Sequence, residues 1–354
     1  MDSSHWKAWE TFTSSYGQGV LLSSLQGDGC ALERQGLCMA FARWLRKGRY
    51  HNGKQIAGAQ IENTLRTCAT ILIDKGYKDP RRSAVNQKGY DKPLTDLLNR
   101  CKEEDPPPRP QLALPSRTFQ WLSNECQQQH QSQPHLLALA DLVVLAFFFL
   151  FRVGEYMLDS PSRQKGKKTV PLRKQDMQLW HGDDRISNDA PLHILLTADK
   201  VSMALENQKN GHRNEMITHH SNPGSSFCPV NTAIRRMHHL RGLPADTPIC
   251  SYKDSTGRVL QLRPNAVKPL VQFAAIATGS TPDKGFLQDR IGAHSIRASG
   301  AVALKQNGQE DSIIKLLGKW SSDTFRRHIH PQISTITCGV SALMTTPLHF
   351  TYTR

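Results

Sequence analysis

The sequence predicts a mainly α-helical protein with a small antiparallel β-sheet, an α+β chain in two domains. Three observations predict it. Apolar residues recur at helical spacing through most of the first hundred positions. The run DPPPRP at 105–110 cannot continue a helix and divides the chain. Short strand-type stretches cluster between 193 and 220, flanked on both sides by helical patterns.

ALERQGLCMAFARWLRKG (31–48) predicts a helix closed by Gly48. In IENTLRTCATILIDKG (61–76), Ile61, Leu65, Cys68 and Leu72 share one face, and Gly76 closes it. A shorter helix is expected at 91–104. The first domain is thus a helical unit over 1–104. The proline-rich segment 105–114 is a stiff linker, and the second domain spans 115–354. The second opens with helices at 116–129 and over the apolar stretch ending near Arg152. Strands are expected at 193–197, 201–205 and 215–220, and helices at 229–242, 264–278, about 293–307, 310–317 and 321–329.

The 354 residues carry a formal charge of +15, which favours a polyanionic partner, nucleic acid before an acidic membrane surface. Hydrophobic content of 38% excludes a disordered chain. None of the eight cysteines forms a C-x-x-C pair, so buried free thiols are expected at Cys30, Cys38 and Cys68, and a reducing compartment fits. The apolar stretch 136–151 is short for a bilayer and contains Asp141, so it reads as a buried helix; no membrane partner is expected. Paired histidines at 219–220 and 238–239 lack cysteine partners, and no metal site is expected.

Several basic residues stand in an order suited to phosphate chemistry. Arg152 follows the apolar run with Glu155 three residues on; a local helical pair there contributes roughly 0.2–0.5 kcal/mol. Lys209 sits in the turn QKNG. His294 and Arg297 share a helical face near a helix start, where backbone amides favour an anion. G-K-W follows at 318–320. Taken singly, each is equally a solvated charge or a local cap.

Together these blocks, FFFLFRVGEY (147–156), QKNG (208–211), AHSIRASGAVAL (293–304) and GKWSSDTF (318–325), resemble the tyrosine recombinase and integrase family, most closely the recombinases of eukaryotic mobile elements. The resemblance covers about 115–333 well and the helical N-terminal part, as a core-binding domain, more weakly. It implies a clamp around double-stranded DNA, strand cleavage and rejoining through a covalent 3′-phosphoryl enzyme, no cofactor and no small-molecule substrate. It implies four protomers assembled on DNA, and a nucleus if the host is eukaryotic, the cytoplasm otherwise. The implied roles are Arg152 and Arg297 gripping the scissile phosphate, Lys209 protonating the leaving oxygen, His294 as general acid/base, Trp320 donating its indole N–H, and Glu155 in support.

The family nucleophile is a tyrosine eight or nine residues after the Trp320 position; here His328 stands eighth. Three alternatives remain open: a disabled or domesticated recombinase that still holds DNA, histidine chemistry at His328, and a nucleophile from elsewhere, with Tyr352 the nearest later tyrosine. A basic protein-interaction scaffold is the rival outside nucleic acid. Arg81, Arg82, Lys165, Lys167, Lys168, Arg326 and Arg327 are expected to contact DNA phosphates without reading sequence.

Overall fold

The structure, a computed structural model, describes residues 4–50, 52–82, 91–107, 111–129, 133–159, 169–207, 213–222, 224–320, 323 and 326. The chain divides into two compact units, Met1–Pro108 and Arg109–Arg354.

The first unit holds α1 (Ser4–Ser15), α2 (Ala31–Arg46), α3 (Gly58–Asp74) and α4 (Lys92–Glu103). Helices α2 and α3 end as the sequence predicts, with Gly48 and Gly76 both at positive φ just beyond them. An aromatic cluster forms the core: the rings of Trp9 and Phe12 each lie 5.0 Å from that of Phe41. The buried indole of Trp9 donates to the Val20 carbonyl at 2.9 Å, so its one polar atom is satisfied. Cys38 and Cys68 are buried free thiols, and Cys30 is half-buried. At the end of this unit Asp105 accepts from Arg46 Nη1 and, at 2.6 Å, from the amide of Gly58.

The second unit is built around one apolar helix. Helix α5 (Ser116–Gln129) leads into α6 (Pro134–Phe148), in which every residue from Ala138 to Phe147 is buried. Asp141 is buried there too, and Arg235 binds it through Nε at 3.0 Å and Nη2 at 2.7 Å, which makes a charge tolerable inside the core. No helix among the described residues is long and apolar enough to cross a membrane. A one-turn helix α7 (Val153–Tyr156) follows. Beyond the sheet come α9 (Pro229–His239), α10 (Val267–Ala277), α11 (Ala293–Gln306) and α12 (Asp311–Gly318). Helices α5, α9 and α11 pack directly on α6.

The sheet has four antiparallel strands in the order β2-β1-β3-β4: β1 (Met177–His181), β2 (Asp184–Ile186), β3 (Lys200–Asn207) and β4 (Arg213–His220). Met177, Leu179, Val201, Met203 and Ile217 alternate onto one buried face, with Met177 opposite Met203 and Met203 opposite Ile217. A separate hairpin pairs β5 (Ser251–Lys253) with β6 (Val259–Gln261).

Several sequence expectations change. Residues 193–197 are not a strand: Leu192–Leu195 form a short helix, α8. A run of three apolar residues, 194–196, cannot by itself separate helix from strand. Here Pro191 caps a helical turn, and both edges of β3 are already taken by β1 and β4. Residues 177–181, for which the sequence predicts no element, form β1, whose two-residue alternation is too short to stand out. The apolar helix stops at Phe148 and does not run on to Arg152; Leu150 adopts positive φ and turns the chain. The helix expected at 321–329 lies almost wholly outside the described residues.

Part of the expected linker is held against the second unit. Leu112 N–H donates to the Arg290 carbonyl at 2.9 Å, and Leu114 N–H to Ser299 Oγ at 2.7 Å.

Candidate phosphate-binding site

The site begins where α6 ends. Leu150 is the left-handed residue of a helix-terminating turn in which Phe151 N–H donates back to the Ala146 carbonyl at 3.0 Å. That reversal delivers Arg152 to the N-cap of α7. Arg152 and Glu155 then close a reciprocal box. Glu155 N–H donates to the Arg152 carbonyl at 2.8 Å, and Arg152 N–H donates to Glu155 Oε2 at 2.9 Å. The Arg152 guanidinium meets Glu155 Oε1 at 3.1 Å. Glu155 is buried, so this is not the exposed helical pair weighed from sequence but an anchored one.

Helix α11 brings the second guanidinium. Its sequence, AHSIRASGA, places small residues on the inward face, and Gly300 lies against the end of α6. A Cβ there would overlap the Phe147 carbonyl and the Leu150 side chain. Only glycine lets the two helices approach this closely, and the approach sinks Arg297 to 3% exposure. His294 sits one turn earlier and is exposed. The amide expected to greet an anion at this helix start is taken, because His294 N–H donates to Gln111 Oε1 at 3.0 Å. A phosphate here would be held by side chains, not by the helix terminus.

Helix α12 contributes through its end. Lys319 N–H donates to the Leu316 carbonyl at 3.1 Å, and Trp320 N–H to that of Lys315 at 3.0 Å. This is the double-bonded helix stop in which glycine is usual, yet Lys319 occupies the left-handed position at φ 54°. The cost for a side-chain-bearing residue is roughly 1–2 kcal/mol. The turn folds the Trp320 ring back over Gly318, into the space a Cβ at 318 would fill. The Arg297 guanidinium lies 4.2 Å from the centre of that ring and donates through Nη2 to the Gly318 carbonyl. Lys319 itself points inward: its Nζ lies 3.3 Å from Glu155 Oε2 and 4.8 Å from the Phe151 ring centre.

Four charged groups, three of them cations, therefore share one pocket of low exposure. Burial would raise the Glu155 carboxyl, but Lys319, the Arg152 amide and the two arginines outweigh it and hold it below the usual carboxylate range. Burial, and then the neighbouring charge of Arg152, pull Arg297 down to about 9. Burial, opposed by Glu155 and reinforced by Arg297 and Arg152, pulls Lys319 down to about 8. Arg297 and Lys319 stay protonated at neutral pH, and with the Arg152 guanidinium they leave the cluster two positive charges more than Glu155 balances. Arg297 Nη1 is buried with no hydrogen-bond partner among the described residues. One carboxylate among three cations offers no seat for a metal ion; the arrangement suits an anion with several acceptor oxygens.

The structure thus brings together Arg152, Glu155, Arg297 and Trp320, with His294 one turn from Arg297. It adds Lys319, which the sequence reading passed over within G-K-W because a lysine beyond a helix end is ordinarily solvated. Lys209, Lys165, Lys167, Lys168, Arg327, His328 and Tyr352 lie outside the described residues. Arg81 is not a solvent-facing cation: it is buried, with Nε and Nη2 on Asp79 at 2.9 and 2.8 Å. Arg82 is exposed and pairs with the same carboxylate at 3.1 Å. Arg326 is exposed and binds Asp311 at 2.9 Å.

No family model and no curated protein matches the chain. Among solved structures it is similar to the Tn1549 transposon integrase in complex with transposon right end DNA, at 10% identity and a TM-score of 0.47, covering 97% of this chain and 100% of that one. It is similar to XerH site-specific recombinase bound to palindromic difH substrate, at 13% identity and a TM-score of 0.48, covering 97% and 86%. XerA recombinase follows at 10% identity and a TM-score of 0.39, with XerH bound to difH before cleavage at 11% and 0.41. At these identities and TM-scores the likenesses identify neither family nor activity.

Proposed function

We propose that this protein binds double-stranded DNA as a relative of the tyrosine recombinases, with Arg152 and Arg297 gripping one backbone phosphate. The observation that carries this reading is the buried Arg297 Nη1, without a partner among the described residues and electrostatically coupled to a second guanidinium, that of Arg152. A buried donor without an acceptor costs about 1–3 kcal/mol, more when charged. The half-buried Arg152 guanidinium adds repulsion to the buried one of Arg297. A phosphodiester relieves both, since its two non-bridging oxygens match paired guanidinium forks.

Each neighbour then has a task. Glu155 fixes the Arg152 guanidinium. The Trp320 ring and the Gly318 carbonyl fix that of Arg297. Such preset donors stabilise charge as it builds on phosphorus, without reorganising at the moment of reaction. His294, exposed on the same helix face one turn earlier, is placed to shuttle a proton on the solvent side. Strand cleavage further requires a nucleophile, and His328 stands where the resemblance expects tyrosine. That substitution favours a second reading, a protein that keeps the phosphate clamp and has lost the chemistry.

Binding is tested first. Titration of a random-sequence duplex at several salt concentrations should give a steep log–log slope, since every neutralised phosphate releases counterions. Arg152→Ala combined with Arg297→Ala should lower affinity and flatten that slope. An unchanged slope would remove the phosphate site from the account and favour a protein-interaction scaffold. Cleavage is tested with nicked duplexes and denaturing gels. A covalent adduct lost in His328→Phe assigns histidine chemistry, and one lost in Tyr352→Phe assigns the tail. An adduct that forms only in His328→Tyr identifies a disabled site on a competent scaffold.

A further inference from the structure

We infer that Lys319 is a positioning residue of the phosphate site: its ammonium engages Glu155 Oε2 so that the carboxylate does not neutralise the arginine pair. The inference rests on the proposed phosphate clamp and deepens it. Its ground is how one carboxylate is shared. Glu155 Oε1 meets the Arg152 guanidinium at 3.1 Å. Oε2 takes the Arg152 amide at 2.9 Å and Lys319 Nζ at 3.3 Å. With Lys319 in place, Glu155 holds Arg152 through a single guanidinium contact and spends its other oxygen elsewhere. Without it, the whole carboxylate charge would fall on the two arginines, and an incoming phosphate would compete with an internal anion.

The backbone supports a dedicated role. Lys319 occupies a left-handed position that glycine fills at lower cost, and its side chain turns to 1% exposure where solvent lies close by sequence. A structural cap requires neither the charge nor the burial. Among the described residues, Glu155 and Arg152 from the α7 turn, Arg297 from α11 and the Phe151 ring face the ammonium. Two of these four are cations. The ammonium, held near 8, therefore loses its proton before the Arg297 guanidinium, held near 9. Loss of that proton removes one positive charge from the pocket and releases Glu155 toward Arg152, so phosphate affinity should fall as pH rises through this range. A bound phosphodiester should in turn raise the lysine's affinity for its proton.

The test follows binding of a random-sequence duplex at fixed ionic strength, from neutral pH to just above 8, below the Arg297 value of about 9, for the full-length chain. Wild-type affinity should drop by about tenfold across the window, as expected for one charge-assisted contact. Lys319→Met should bind about tenfold more weakly at neutral pH, with a flat profile. Lys319→Arg should restore neutral-pH binding and flatten the profile, because it removes the ammonium that titrates near 8. Lysine Cε chemical shifts of the wild-type protein give a readout independent of how the variants fold: one resonance titrating near pH 8, moved upward by duplex DNA. Arg152→Ala separates the two levels of the account. If Arg152→Ala binds DNA like wild type, the phosphate clamp fails. If Arg152→Ala loses binding while Lys319→Met keeps wild-type affinity and pH profile, or while DNA leaves the lysine titration unmoved, the clamp stands and the role of Lys319 is overturned.

Discussion

Glu155 and Lys319 are 164 residues apart in the chain, yet Oε2 and Nζ lie 3.3 Å apart with neither side chain more than 1% exposed. The pair ties the turn after α6 to the end of α12. Breaking such a buried pair on one side leaves an uncompensated charge and costs about 3–5 kcal/mol. Glu155→Gln should therefore lower unfolding free energy by about that amount in urea denaturation. Glu155→Gln combined with Lys319→Met should cost less than the sum of the two.

The same pair sets two pH windows. The Glu155 carboxyl lies below its ordinary 4.5, so its stabilisation is complete above that pH and is lost as pH falls through the lower folded value. Lys319 behaves oppositely. Its folded value of about 8 lies below the ordinary 10.5, so the unfolded chain holds this proton more tightly. The stability it contributes rises as pH climbs between the two values. Relative to Lys319→Met, wild type should gain stability through that window, a trend measurable as a growing difference in urea midpoint. A difference that shrinks would contradict the assignment.

Gly300 permits α11 to touch the end of α6. Gly300→Ala should destabilise by about 1–3 kcal/mol through overpacking against the Phe147 carbonyl and the Leu150 side chain. Because the same contact seats Arg297 beside Arg152, duplex affinity should fall with it. Retained wild-type stability, read by thermal unfolding, would show that the helices have room to spare.

Trp320 holds Arg297 by its ring face at 4.2 Å. Trp320→Ala should weaken duplex binding by the equivalent of about 0.5–2 kcal/mol, and Trp320→Phe by less, since phenyl keeps part of the attraction. If phenylalanine and alanine are equally impaired, the indole N–H and not the ring face is what matters.

Gln111 caps α11 from the segment before α5, through Oε1 and the His294 amide. Gln111→Ala should cost about 0.5–2 kcal/mol, the range of a lost helix cap. It should also free that amide for an anion, so duplex affinity should hold or rise while stability falls. A parallel loss of both would show that Gln111 positions His294 instead.

The sequence alone determined the helical first unit, the division near the proline run and the β3–β4 pairing. Each is local: apolar spacing marks the helix faces, consecutive prolines break them, and two-residue alternation marks the strands. It also singled out Arg152, Glu155, His294, Arg297 and Trp320, because their blocks resemble a known order of motifs. It misread 193–197, where a three-residue apolar run fits helix and strand alike, and it took Arg81 for a surface cation that Asp79 in fact holds in the interior. Only the tertiary structure decided Lys319 and Gln111. A lysine after a helix and a glutamine in a proline-rich segment are solvated by default. What turns them inward is the close approach of α6, α11 and the end of α12, which Gly300 and Gly318 permit and which no local pattern announces. That convergence gathers residues from distant parts of the chain around one carboxylate and, among the described residues, sets three cations against it in a space of low exposure.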